Sequence, residues 1–391
     1  MKFLRLLLIF GLAAGRQAWA VYAPIPDQDQ GKAWAFSVAA DVVHDSNIFG
    51  GATGSISSTV YSLVPKIAFN ASVTDQTFLS ASYQLNLDHF DSRPGDKTLD
   101  SHLFTARLAH AFTQATTLDL SDSYAIEKNP ESLLNGLAVN TDQSFKNNEI
   151  DASFGTNLGP KTGLTLKARS VLFRYDNARL GASLDRTENL YGVSGDYAVL
   201  PELKAVGEYR REDIDYRELG ATKDKKSDFL LAGADYNVAK KVTASGRLGV
   251  EWRHRQGERS KTSPYAELST KFDYAPGSFL TAGYVYTLEE TSNPLLYTDT
   301  QVNRFFVNAQ HALTGLVTLS GSVDYEPSKL MGRRGIADVD ETTNRYGLAL
   351  SYLPTKNWTI SLNDDYDKIS SGDATRELSR NRTGLSARYS F

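Results

Sequence analysis

The chain has 391 residues, of which 41% are hydrophobic and 23% charged, with a formal net charge of −4 and no cysteine. This composition excludes fibrous and disordered classes, and it leaves no disulfide or cysteine metal site available. Beyond the N-terminus, no apolar run reaches the roughly 18 residues that a spanning helix needs. The mildly acidic balance lacks the basic footprint of a nucleic-acid-binding protein, so no nucleic-acid partner is expected.

The N-terminus has the pattern of a secretory signal peptide. Lys2 and Arg5 give a positive start, a short apolar stretch follows, and the small-x-small sequence AWA stands at 18–20. A buried N-terminal helix is the alternative. The pattern predicts a signal peptide over 1–20, followed by a short periplasmic segment over 21–32.

Alternating segments of about 12–15 residues begin at residue 33. The sequences at 34–42, 79–88 and 242–253 each place apolar residues on one face and mainly polar residues on the other. A period of two indicates β-strands with one apolar side. The alternation continues to the last residues, where Leu385, Ala387, Tyr389 and Phe391 share a face.

Short and long connections alternate between these strands. Eight short turn clusters recur about every 40 residues, at 73–76, 114–117, 159–162, 200–203, 239–241, 275–278, 313–315 and 353–357. Nine longer, more polar connections lie between them, the longest at 127–145. Eight and nine connections make 17, which predicts 18 strands.

Long amphipathic strands without covering helices favour a closed sheet in a membrane. Strands of soluble sandwiches average about 5–6 residues, and unpaired edges of a large open sheet promote aggregation. Closure removes the edges, and lipid solvates the apolar face. The predicted fold is all-β: a transmembrane antiparallel up-and-down β-barrel of 18 strands over 33–391, with both termini periplasmic.

This fold predicts location in the outer membrane of a Gram-negative bacterium, with outer-membrane lipids as partners. A soluble β-propeller is the rival, but each blade would need four short strands per repeat. Tyr389 and Phe391 are predicted to be an assembly signal, because outer-membrane barrels commonly end in such an aromatic residue. The barrel insertion machinery is the expected partner of that signal.

Several residues fit the pattern poorly. Pro65 and Pro264 lie inside predicted strands, where each removes one ladder hydrogen bond. Four charged residues fall on the predicted lipid face: Asp122, Arg174, Arg211 and Asp364. Because a charge at mid-depth in lipid costs a few kcal/mol, all four are expected near the long loops, above the hydrocarbon.

A barrel of 18 strands is too wide for its side chains to fill, which predicts a channel or a plugged pore. The other face of the strands is predicted to be wholly polar. Its lumen-lining candidates are Lys66, Arg107, Lys167, Arg169, Glu208, Arg210, Arg247, Glu251, Arg253, Glu267, Lys271, Arg304, Arg345, Asp365, Arg382 and Arg388.

Basic and acidic residues on this face nearly balance, which argues against a one-signed ion filter. Two interpretations remain open: ion pairs that stiffen a wet wall, or a track of charged and hydroxyl groups for a polar solute. The longest connection, 127–145, contains the apolar run SLLNGLAV and either folds inward or covers the pore.

The sequence carries no familiar catalytic motif. It lacks G-x-S-x-G, H-E-x-x-H and a P-loop, and its six histidines are scattered. Asp364 and Asp365 are neighbours on one strand and point to opposite faces, so they cannot form one acidic site. No enzymatic activity, cofactor or metal is therefore predicted.

The first strand and its loop, FSVAADVVHDSNIF at 36–49, resemble the opening of one outer-membrane family. Its members are the putative β-barrel porins of exopolysaccharide and exosortase gene clusters, the EpsL-like proteins. The resemblance implies passage of a polysaccharide or a role in its assembly, with periplasmic export components as partners. The alternatives are a general or solute-specific diffusion porin, an outer-membrane enzyme, and a structural or adhesive barrel.

Overall fold

The computed structural model describes residues 32–130, 133 and 141–391. The predicted signal peptide and nearly all of the segment at 21–32 lie outside the described residues.

Eighteen strands form one sheet. They are β1 Trp34–Asp45, β2 Ser58–Thr74, β3 Thr77–Phe90, β4 Thr98–Ala111, β5 Thr116–Glu127, β6 Phe145–Asn157, β7 Thr162–Tyr175, β8 Arg186–Ala198, β9 Leu203–Tyr216, β10 Lys225–Ala239, β11 Val242–Arg255, β12 Lys261–Ala275, β13 Ser278–Glu289, β14 Tyr297–Ala312, β15 Val317–Gly332, β16 Val339–Tyr352, β17 Trp358–Ser371 and β18 Leu378–Ser390.

The sheet closes on itself. Each strand pairs antiparallel with its neighbours in sequence, and β1 pairs with β18 from Ser37 opposite Ser390 to Asp45 opposite Arg382. The predicted closed 18-stranded up-and-down barrel is therefore confirmed. The placement of both termini on the periplasmic side stays a prediction.

Short turns and long loops lie at opposite ends of the barrel, as the sequence predicts. All eight short turn clusters and all nine long connections fall between consecutive strands. We call the half of each strand next to a short turn the turn half, and the half next to a long loop the loop half.

The long loops contain short helices that the sequence analysis did not predict. In the described part of the loops they are α1 Ala178–Leu184, α2 Gly220–Lys223 and a 3₁₀ turn, Ala374–Arg376. The Asn177 side chain starts α1 by accepting hydrogen bonds from the backbone N–H groups of Arg179 and Leu180. Within the described ranges, no helix has the length and apolar character needed to span a membrane.

The outward face carries two rows of aromatic residues. From the middle of the strands into the loop half, Tyr83, Phe104 and Tyr124 form a row of tilted rings, with centroids 4.5 and 6.4 Å apart. In the turn half, Tyr389 lies 5.1 Å from Trp358 and contacts Phe391. Exposed aliphatic residues fill the band between the rows, as expected of a surface that contacts lipid.

Both prolines lie inside strands, as predicted. Pro65 is opposite Val38 in the ladder of β1 and β2, and Pro264 is opposite Val250 in that of β11 and β12. On the other side of β2, beside Pro65, the pairing of β2 with β3 is interrupted between Leu63 and Lys66. The missing N–H of proline explains this local gap.

The expectation that all four outward charges lie near the long loops is wrong for two of them. Arg174 does lie at the loop end of β7, but Asp122 and Asp364 occupy the middle of β5 and β17. Each of these two aspartates lies two residues closer to the short turn than an outward-facing tyrosine of the same strand. Their carboxylates are hydrogen-bonded instead: Asn148 donates to Asp122 at 2.7 Å, and Asn381 donates to Asp364 at 3.2 Å.

Arg211 also faces outward, on β9, and it too has polar partners beside it on the outward face. Its guanidinium lies 3.1 Å from carboxylate oxygens of both Asp213 and Asp228, which face outward beside it. These polar contacts satisfy the charge locally, so position along the strand is not the only way to accommodate it.

The inner face is not wholly polar, contrary to expectation. Phe229, Leu231 and Tyr265 form a buried apolar cluster on the inner side of β10 and β12. A second cluster joins Ile48 and Phe49 of the first loop to inner residues of β2 and β3. Apolar residues are accommodated on the inner face because neighbouring inner side chains and inward-folded loops exclude water from them.

Candidate functional site: the inner face of the barrel

The ladder register places all sixteen predicted lumen residues on the face opposite the exposed apolar residues. On β2 to β12 these are Lys66, Arg107, Lys167, Arg169, Glu208, Arg210, Arg247, Glu251, Arg253, Glu267 and Lys271; on β14 to β18 they are Arg304, Arg345, Asp365, Arg382 and Arg388. Ion pairs bring many of them together with acidic residues of the same or adjacent strands.

In the turn half, these ion pairs are open to water. Lys204 lies 3.1 Å from Asp196, with the lysine side chain 53% exposed. Arg247 lies 2.9 Å from Asp235, whose side chain is 45% exposed. The inner wall is thus wet and charge-balanced at this end of β8 to β11.

In the loop half, ion pairs are more deeply packed. Arg304 lies 3.0 Å from Glu289 and 2.6 Å from Glu326. Arg210 lies 2.6 Å from Glu208, and the hydroxyl of Tyr265 accepts a hydrogen bond from it at 3.2 Å. Each of these buried carboxylates faces a guanidinium, and this pairing offsets part of the cost of removing the two charges from water.

A buried charge network links five segments at the loop ends of the strands. The ammonium of Lys225 lies 2.9 Å from Glu212 and 3.2 Å from Glu290, and Arg255 lies 2.8 Å from Glu290. Asp299 contacts Arg255 at 3.3 Å and also pairs with Arg253. Arg255 and Asp299 are 1% and 0% exposed, so the centre of this network is closed to solvent.

Glu290 lies in the loop after β13 and is the acidic centre of this network. Burial alone raises the pKa of Glu290, but Arg255 and Lys225 outweigh burial, and Tyr216 donates a hydrogen bond to its carboxylate. Together they lower the pKa from 4.5 to about 2. Glu290 is therefore ionised at neutral pH.

Basic side chains tie the long loops to one another through backbone carbonyls. Arg333 donates to the carbonyls of Thr222 at 2.8 Å and Pro294 at 3.0 Å, and pairs with Glu258 at 3.2 Å. We call these four connections, 217–224, 256–260, 290–296 and 333–338, the loop layer. Because the four span from β9 to β16, the layer covers this side of the barrel mouth.

Lys223 extends the loop layer to the preceding connection. Its ammonium donates to the carbonyls of Ala182 and Ser183 at 3.0 and 3.1 Å, and lies 4.7 Å from the Tyr216 ring. Burial lowers the pKa of Lys223, although nearby acidic residues oppose the shift.

The described ends of the longest connection fold toward the seam between β18 and β1. Pro130 accepts a hydrogen bond from Arg380, Leu133 packs against Ile369 and Leu378, and Gln143 donates to the Phe49 carbonyl at 2.8 Å. Most of the run SLLNGLAV lies outside the described residues, so its two predicted placements stay predictions.

A cavity of about 360 Å³ opens into the inner wall on β3 to β6. Its lining includes four hydroxyl side chains, from Ser80, Thr105, Ser121 and Ser123, together with charged Arg107, Glu149 and Asp151. Arg107 was predicted from the sequence to line the lumen, but the cavity itself was not predicted.

The predicted lumen residues did not include Lys225, Arg255 and Glu290, which lie at or just beyond the loop ends of their strands. One signal was available: Arg255 continues the inward parity of Glu251 and Arg253 along β11. Nothing in the sequence indicated that Glu290 and Asp299 would meet it.

A closed antiparallel barrel with an apolar, aromatic-girdled exterior and a charged interior is the architecture of outer-membrane β-barrels of Gram-negative bacteria. The chain has this fold, which confirms the predicted fold class and places it in the outer membrane, where its outward residues contact lipid.

Solved structures share the architecture. OccAB4 of Acinetobacter baumannii is 9% identical, with a TM-score of 0.50, and the match covers 93% of this chain and 100% of that one. OccK5 (OpdH) of Pseudomonas aeruginosa is 10% identical, with a TM-score of 0.50 and coverage of 92% and 98%. No protein-family model matches the chain, and no curated protein matches it significantly. The EpsL-like resemblance therefore stays a prediction.

Proposed function

We propose that this chain is an outer-membrane channel through which small polar solutes diffuse, in the manner of a solute-specific porin. The contrast along its inner face carries the proposal. Charged groups in the turn half are paired yet open to water, as for Lys204, whereas Arg255 and Asp299 in the loop half are almost fully buried. A wet bore covered by a packed loop layer suits small solutes.

The same contrast gives no support to the polysaccharide conduit that the sequence analysis favoured. A polymer requires a continuous wide opening, and the loop layer lies across part of the mouth. The proposal includes no catalytic step; an outer-membrane hydrolase or acyltransferase on the same barrel is the alternative class.

Single-channel recording and liposome swelling test the proposal. The refolded chain in planar bilayers is expected to conduct, and swelling rates are expected to fall steeply from monosaccharides to tetrasaccharides. Equal rates for long oligosaccharides would favour the polymer conduit. Absence of conductance and of swelling, in both the native chain and a variant with a loosened loop layer, would contradict a channel altogether.

A further inference from the structure

The wall cavity lies where two rows of directly opposite residues cross the inner face. One row runs across β3 to β7 through Ser80, Arg107, Ser121, Asp151 and Arg169; the next runs through Ser82, Thr105, Ser123, Glu149 and Val171. Adjacent strands are about 4.8 Å apart, so hydroxyl and charged groups follow one another along each row at about that spacing.

The charged groups Arg107, Glu149 and Asp151 at the cavity already have ion-pair partners, with two guanidiniums serving three carboxylates. Arg107 binds Asp119 through two nitrogens, with its Nε 3.0 Å from Oδ1. The Nε of Arg169 lies 2.7 Å from Asp151 and 3.4 Å from Glu149. A charged solute would compete with one of these partners for its counter-charge.

Three hydroxyls remain available to a solute. Within the part of the chain that the structure describes, the hydroxyls of Ser80, Ser121 and Ser123 have no hydrogen-bond partner, whereas that of Thr105 bonds to Ser82 at 2.7 Å. A hydroxyl both donates and accepts, and the paired carboxylates keep further acceptor positions. This is a surface for ligands that themselves carry several hydroxyls.

We propose that this cavity binds neutral polyhydroxylated solutes of about the size of a hexose. The inference rests on the proposed channel function and names its solute class. Ring hydroxyls donate to the carboxylates of Glu149 and Asp151 and exchange hydrogen bonds with the three serines, while both ion pairs stay intact. The volume lies within the range of small-molecule sites.

Three probes with one ring and different charge test this site: glucose, glucuronate and glucosamine. Binding is measured by saturation-transfer difference NMR on the full chain in a detergent without a sugar headgroup. We expect glucose to bind more tightly than either charged probe. The variant Ser80→Ala/Ser121→Ala/Ser123→Ala is expected to bind glucose at least about tenfold more weakly, because each lost neutral hydrogen bond contributes to affinity.

The matched control is Ser194→Ala/Ser322→Ala, which removes two inner-face serines outside the cavity and should leave glucose binding unchanged. Preference for a charged probe, glucose binding that survives the triple substitution, or no glucose binding by a chain that conducts would each overturn the cavity assignment while leaving the channel in place. Glucose binding that the triple variant loses, in a chain without conductance, would support the cavity and contradict the channel.

Discussion

Asp45 and Arg380 form a buried ion pair between the two strands that close the barrel. The Arg380 Nη2 lies 2.6 Å from Asp45 Oδ2, its Nε is 3.1 Å from both carboxylate oxygens, and both side chains are 2% exposed. The strands β1 and β18 are farthest apart in sequence, so bringing them together has the largest loop-closure cost of any strand pairing. The ion pair between Asp45 and Arg380 stabilises this strand pairing.

Removing one member of this pair should destabilise the seam. Arg380→Met leaves the Asp45 carboxylate buried without its cation, which costs about 3–5 kcal/mol. Urea titration of the refolded barrel, followed by heat-modifiable gel mobility, measures the loss. Asp45→Leu/Arg380→Met should regain part of the stability; a double variant as unstable as the single one would contradict this account.

Gly384 permits the close approach of β18 to β1 on the inner face. A Cβ at this position would lie 2.7 Å from Val43 Cγ2 and 3.0 Å from the Val42 carbonyl oxygen. Gly384→Leu should therefore reduce the folded fraction severely. Gly195→Leu is the control, since nothing lies within 4 Å of a Cβ there. Equal folding of the two variants would show that the seam tolerates a side chain.

Neighbouring aspartates on β17 should respond in opposite ways to the same substitution. Asp364 faces outward beside Leu348, so Asp364→Leu should be neutral or stabilising by about 1 kcal/mol. Asp365 faces inward, directly opposite Arg382, so Asp365→Leu should destabilise by about 1–3 kcal/mol. Unfolding in urea distinguishes them, and the reverse order would mean that the faces are exchanged.

Arg333 should hold the loop layer closed. Arg333→Ala removes two carbonyl contacts and one ion pair at once, which should increase swelling rates for small solutes severalfold. The adjacent Arg334 is exposed and supplies the control Arg334→Ala. If both variants swell at the native rate, the loop layer does not limit passage.

Acid should weaken the network around Glu290. The pKa of this carboxyl is lower in the folded chain, about 2, than its ordinary value of 4.5. Its contribution, on the order of 3 kcal/mol, is thus fully present above pH 4.5 and is lost as the pH falls towards 2. Thermal unfolding at a series of pH values measures it.

The variant Glu290→Gln tests the assignment of this pH dependence. It should melt at a lower temperature than the native chain at pH 7, and the difference between them should shrink as the pH approaches 2. A constant difference across this range would assign the acid sensitivity to other carboxylates.

Local patterns predicted the barrel well because strand periodicity and turn chemistry are local properties. The alternation from Trp34 onward and the short turn clusters fixed 18 strands and their order. The loop layer was not predictable in this way. Lys225, Arg255, Glu290 and Asp299 come from different segments, and only the closed geometry brings them together. The seven-residue helix α1 was missed because it is too short to show a helical period.

The contacts of the loop layer determine which of its side chains can be substituted. Lys223 and Arg333 donate hydrogen bonds to the backbone carbonyl oxygens of Ala182, Ser183, Thr222 and Pro294. Every residue type has such an oxygen. Exchange of those four side chains would therefore preserve these hydrogen bonds. The side chains at these four positions can thus vary while Lys223 and Arg333 stay the same.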